Sequence, residues 1–138
     1  MTFKVVVIGD AHGNPLKILQ HLHNEGLITN YRELYGQLLD SYKNNNVRAF
    51  IQLLEQLSFS GLEERQKTQI MLLGDLLADR GQNDIMMLSL FRVLTEQHVQ
   101  YNVVFSNHDR EFLRNLESIR QQRYKNIRVT IDPKQARW

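Results

Sequence analysis

Three short clusters in this sequence carry side chains that bind cations, hold anions or move protons. They are Gly9-Asp10-Ala11-His12-Gly13-Asn14, Gly74-Asp75-Leu76-Leu77-Ala78-Asp79-Arg80-Gly81 and Ser106-Asn107-His108-Asp109-Arg110. Carboxylate, imidazole and amide donors without thiolate suit a hard-to-borderline divalent metal: manganese, iron, zinc or magnesium. Asp75 is placed to hold a cation and Arg80 an anion, and a site that needs both fits a phosphate held against a metal. Two such metals about 4 Å apart can share a bridging carboxylate and a hydroxide that attacks phosphorus in line. A nearby arginine neutralises charge on the phosphoryl oxygens. An imidazole just outside the metal shell can protonate the leaving oxygen, and a carboxylate behind it fixes its tautomer.

Each cluster directly follows an apolar run that reads as a strand: Phe3 to Gly9, Ile70 to Leu73 and Tyr101 to Phe105. Val5 to Ile8 is continuously apolar and rich in β-branched residues, as in a central parallel strand covered on both faces. The order β-α-(αα)-β-α-β-α-β predicts an α/β domain with parallel strands and right-handed crossovers. The carboxyl ends of such strands share one edge, where ligands bind. Asp10, His12, Asp75, Asn107 and His108 can therefore converge although they are far apart in sequence.

The helices follow from periodicity and capping. Asn14 is a cap and Pro15 a first-turn residue, opening a helix to about His23 with Leu16, Leu19 and Leu22 inward. His21 and His23 read as ordinary helix residues. Residues 24–68 form a helical insertion, packed beside the sheet or over its active edge. Within it Asn30 and Glu33 have capping-box spacing, and Tyr31, Leu34, Tyr35, Leu38, Leu39 and Tyr42 form a stripe. Val47, Phe50, Ile51, Leu54 and Leu57 form a second stripe, after a turn at Asn44-Asn45-Asn46. The tyrosines read as core. Asp84 to Gln97 is apolar on most sides, its methionines core filler. A further helix runs from about Arg110 to Gln122 with Phe112, Leu113, Leu116 and Ile119 as its stripe. Ile127, Val129 and Ile131 alternate as in a half-exposed strand.

Composition narrows the class. The chain is 138 residues long, 42% apolar and 23% charged, as in one soluble globular domain. It has no cysteine, hence no disulfide, thiolate metal site or cysteine nucleophile. No apolar run approaches the ~20 residues of a membrane helix. Residues 110–138 carry eight Lys/Arg against three Asp/Glu, and residues 1–109 carry nine against twelve. The basic end reads as a solvated helix face and tail, and no aromatic-rich basic stripe favours nucleic acid.

The motifs Gly9-Asp10-Ala11-His12-Gly13, Gly74-Asp75 with Asp79-Arg80-Gly81, and Asn107-His108-Asp109 resemble the first three motifs of the calcineurin-like metallophosphoesterases. The Asp79-Arg80-Gly81 ending is most similar to the phosphoprotein (Ser/Thr) phosphatase branch. The resemblance spans residues 3 to about 112 and leaves the 24–68 insertion unexplained. It implies half of an αββα sandwich, that is, a single incomplete domain over residues 1–138. It also implies two divalent metal ions, manganese first, with Asp10 and His12 on one, Asp75 bridging and Asn107 on the other. His108 would be the general acid, Asp79 its orienting partner and Arg80 the phosphate ligand.

The expected function is metal-dependent phosphomonoester hydrolysis on a phosphorylated protein. The alternatives are a nucleotide or dinucleoside-polyphosphate hydrolase, or an inactive metal-binding fragment. Partners would be the substrate and either a second copy or a complementary C-terminal half. The location would be cytoplasmic, or that of a bacterial secreted effector without a signal peptide.

Overall fold

The computed structural model describes residues 4–9, 11–60, 67–77 and 84–125. In chain order these form β1 (Lys4–Gly9), α1 (Pro15–Asn24), α2 (Tyr31–Lys43), α3 (Val47–Glu55), β2 (Thr68–Leu73), α4 (Asp84–Glu96), β3 (Gln100–Val104) and α5 (Asn107–Lys125). The strands make one parallel sheet in the order β1-β2-β3. Gly9 pairs with Leu73, and Leu73 with Val104, so the three strands end level. The expected α/β class and shared carboxyl edge are both present. The alternating segment at Ile127, Val129 and Ile131 lies outside the described residues.

One face of the sheet is core. Val6, Ile8, Ile70 and Leu72 are buried in a single cluster with Leu19 and Leu22 of α1 and Met86, Met87, Leu90 and Leu94 of α4. The opposite face is open: Val5 and Val7 are 56% and 57% exposed, Leu73 47% and Val104 53%. This corrects the expectation of a strand covered on both sides. When successive parallel strands are laid down in one direction, right-handed crossovers place their helices on the same face. β1 is, moreover, an edge strand among the described residues. The second sheet of a sandwich is likewise not among the described residues.

The helical insertion packs beside this core. α2 lies against α1 and α3, and α3 against α4. Arg92 of α4 donates to Glu55 of α3 at 3.0 Å and to Glu96 one turn on, and this pairing raises its pKa. Tyr31, Leu38, Tyr42, Phe50 and Leu54 are buried, whereas Tyr35 is 41% exposed. Asn14 and Asn46 cap α1 and α3, accepting from the backbone N–H of Leu16 and Ala49. Asn30 does not cap α2. Its side-chain amide donates to the Gln56 carbonyl, and its oxygen accepts from the Ser58 N–H at 2.7 Å. The side chain thus pins the start of α2 to the chain leaving α3.

The expected stripes of the last two helices are only partly used. Ile85 and Leu88 of α4 are exposed, as are Leu113, Leu116 and Ile119 of α5. Phe112 alone of the α5 stripe packs against the core.

Candidate active site

His12, Asp75, Asn107 and His108 all lie just past the level carboxyl ends of adjacent strands. Asp10, Asp79 and Arg80 fall outside the described residues. Among the described residues no group of three or more His, Cys, Asp or Glu is disposed to hold a metal. Of the expected metal ligands, those described are one imidazole, one carboxylate and one amide: His12, Asp75 and Asn107. They suit a hard-to-borderline divalent cation in kind, but as a set they require Asp10 or water to complete it.

The backbone marks the site. Four described non-glycine residues have positive φ. Asn45 and His98 follow the ends of helices, where left-handed residues close the last turn. The other two are His12 at 48° and Asp75 at 51°, in neighbouring loops at the carboxyl edge. A left-handed conformation is uncommon outside glycine, although Asp and His adopt it more readily than most residues, and such residues cluster at functional sites. The two loops are joined: the Gly13 N–H donates to the Asp75 carbonyl at 2.9 Å. Gly74 is also left-handed at 65°, and a Cβ there would stand 3.1 Å from that of Ser106, a tight contact in a conformation that side chains rarely adopt.

The third loop is held by a residue for which the sequence reading assigned no role. Asp109 is fully buried. One carboxylate oxygen accepts from the Leu76 and Leu77 N–H groups at 2.9 and 2.7 Å. The other accepts from the Ser106 N–H and hydroxyl at 2.9 and 3.0 Å. Ser106 and Asp109 therefore form a capping box at the start of α5, whose carboxylate also clamps the Asp75 loop. The Ser-x-x-Asp spacing was visible in the sequence; its reach to residues 76 and 77 was not.

α5 consequently begins at Asn107, three residues earlier than Arg110. Asn107 and His108 stand exposed on its first turn, while Asp75 is half-buried. The N-termini of α1 and α5 both open toward this edge, a setting that favours an anion. His98 is far from it: it follows α4 and lines a cleft of about 700 Å³ with Gln69 and Gln100, at the amino ends of the strands. A second cleft, about 530 Å³, lies between α2 and α3. Neither belongs to the carboxyl edge. A groove of about 310 Å³ does approach it, beginning at Asn14 and running between α1 and α2.

The family model of the WipA-like phosphatase domain matches residues 69–137, half of the chain and all of its second and third clusters. Among solved structures, the chain is similar to the phosphatase domain from the Legionella effector WipB. The TM-score is 0.72 and the identity 25%, over 88% of this chain and 46% of that one. The chain thus spans under half the length of that domain. No curated protein matches it. The matching family overturns the calcineurin-like assignment read from the motifs. Asp, His and Asn at strand ends are residue types that suit metal and phosphate binding in general, so short clusters of them do not separate one phosphatase family from another.

Proposed function

This chain belongs to the WipA-like phosphatase domain family, and we propose that its carboxyl edge hydrolyses phosphomonoesters on a phosphorylated protein with help from divalent metal. The family is one of phosphatase domains, hence of phosphoric ester hydrolases. The observation that carries the assignment to this edge is the pair of left-handed residues, His12 and Asp75, in loops joined by the Gly13–Asp75 hydrogen bond.

His12, Asp75 and Asn107, completed by Asp10, would hold the cations. A pair of cations, manganese first and iron, zinc or magnesium as alternatives, would supply charge neutralisation and an acidified water. The chain's own residues would do the rest. Arg80 would grip the phosphoryl oxygens bidentately. His108, exposed on the first turn of α5, would deliver a proton to the leaving oxygen, with Asp79 orienting its ring. The N-terminal N–H groups of α5 would add to the field at the phosphate. By likeness to WipB, an effector, this chain would act in a host cell. No described helix is long and apolar enough to cross a membrane.

Calorimetric titration with Mn²⁺, together with turnover of an aryl phosphate, tests this reading. The chain should bind the metal below millimolar concentration and turn over the ester, and Asp75→Asn should lose both. Metal binding unaffected by Asp75→Asn would remove the site from this edge.

A further inference from the structure

Resting on that reading, we infer that Asp109 is a positioning residue of the site. It sets the first turn of α5, which carries Asn107 and His108, in register with Asp75 across the carboxyl edge. It acts through main-chain groups and through Ser106, not on the substrate.

The bridge has two ends. One carboxylate oxygen accepts from the N–H groups of Leu76 and Leu77, the two residues that follow Asp75. The other accepts from the N–H and hydroxyl of Ser106, the residue before α5. The Ser106 hydroxyl oxygen accepts in return from the Asp109 N–H at 3.4 Å. Asp75 is thereby fixed on both sides. Before it, the Gly74 backbone runs close to the third loop: a Cβ there would meet the Ser106 nitrogen and the Val104 carbonyl oxygen at 3.4 Å. After it, Leu76 and Leu77 are held by Asp109, and the Asp75 carbonyl itself accepts from Gly13.

Orientation follows from the same contacts. Successive helix residues turn by about 100°, so a buried Asp109 fixes the directions of the two residues before it. Asn107 and His108 are exposed, while Asp109 is fully buried. A carboxylate can serve a pair of donors at each oxygen, whereas an amide offers one acceptor oxygen. Asp109→Asn must therefore release one end of the bridge while keeping the size of the side chain.

The test compares turnover of an alkyl and an aryl phosphate by wild type, Asp109→Asn and Ser106→Ala, each well below its melting midpoint. Asp109→Asn should slow the alkyl ester by about 10²-fold, the scale of a misplaced reacting group. The aryl ester should lose about tenfold less, because a displaced His108 matters where the leaving oxygen needs a proton. Ser106→Ala removes a helix cap but keeps the link from Asp109 to Leu76 and Leu77. It should melt lower and retain the wild-type ratio of the two rates. Equal losses on the two esters in Asp109→Asn would overturn the inference, since partial unfolding lowers both alike. So would the same altered ratio in Ser106→Ala, which would assign the effect to the cap.

Amide hydrogen exchange of the wild-type chain reads the bridge without turnover. Leu76 and Leu77 lie outside any helix or strand, so protection of their amides reports their bonds to Asp109. Both should exchange at least about 10²-fold more slowly than free peptide amides, and in step with Ser106, as one cooperative unit. If no ester is turned over, it is the hydrolytic reading that fails, and exchange then decides the bridge, as it does if Asp109→Asn does not fold. Slow, concerted exchange supports the register set by Asp109, and exchange of Leu76 and Leu77 at free-peptide rates rejects it.

Discussion

The backbone N–H of Gly13 donates to the carbonyl of Asp75 across 2.9 Å, fastening the loop after β1 to the loop after β2. Two segments more than sixty residues apart are thereby locked where each carries a left-handed non-glycine residue. The left-handed turns at His12 and Asp75 are fixed by this link between the two loops.

The first concerns Asp75 itself. Asparagine tolerates the left-handed region and alanine does not. Asp75→Asn should therefore fold with stability within about 0.5 kcal/mol of wild type, whereas Asp75→Ala should lose about 1 kcal/mol. Both should lose metal binding. Chemical denaturation beside Mn²⁺ titration separates the two effects. Equal stability of the two variants would show that the left-handed turn at residue 75 does not depend on an Asp or Asn side chain.

Asp109 should be the most sensitive of these positions for stability. Asp109→Ala strands the N–H groups of Leu76, Leu77 and Ser106. At about 1–3 kcal/mol for each buried unpaired group, and with Ser106 only partly buried, the loss should be at least about 3 kcal/mol. Asp109→Asn keeps one acceptor oxygen and should fall between. A thermal melt of Asp109→Ala within about 3 °C of wild type would mean that the clamp is dispensable.

His108 should act only as the leaving group departs. His108→Asn should keep metal affinity nearly intact and slow alkyl phosphate hydrolysis by roughly 10²–10⁴. The loss should shrink for aryl phosphates, whose leaving groups need no proton. A collapse of metal affinity in this variant would make His108 a ligand instead.

Alkaline stability should report Tyr31. Burial, and secondarily the neighbouring Tyr35, pushes its hydroxyl up to about 12 from the usual 10. The folded chain thus holds a proton that the unfolded chain releases sooner, and the stabilisation is complete below pH 10. It declines as pH rises from there through about 12. Tyr31→Phe, having no proton to lose, should show a flatter Tm between pH 9 and 11. An identical alkaline slope in wild type and Tyr31→Phe would assign that limb to other groups.

Much of this arrangement is written locally in the chain. Apolar runs closed by Gly9 and Gly74 specify strands, Pro15 behind Asn14 specifies a helix start, and alternation of strands with helices specifies a parallel sheet. These signals need only neighbouring residues, because strand and helix periodicities are properties of the backbone. They suffice to bring His12, Asp75, Asn107 and His108 to one edge.

Tertiary structure alone decided the rest. Asn30 has cap spacing with Glu33, yet its amide is better satisfied by Gln56 and Ser58, which only the packing of α3 brings near. Tyr35 shares a stripe with Tyr31 and Tyr42 but lies at the rim of the helix contact and stays exposed. Asp109 looks like one more polar loop residue until the fold sets it against backbone N–H groups more than thirty positions away. Valines 5 and 7 read as core, and whether they are covered depends on which face the crossovers take. The sequence by itself determined which side chains reach the edge, because that follows from where each strand stops. Only the tertiary structure decided what holds them there, because a hydrogen bond between distant segments depends on relative placement that no local pattern encodes.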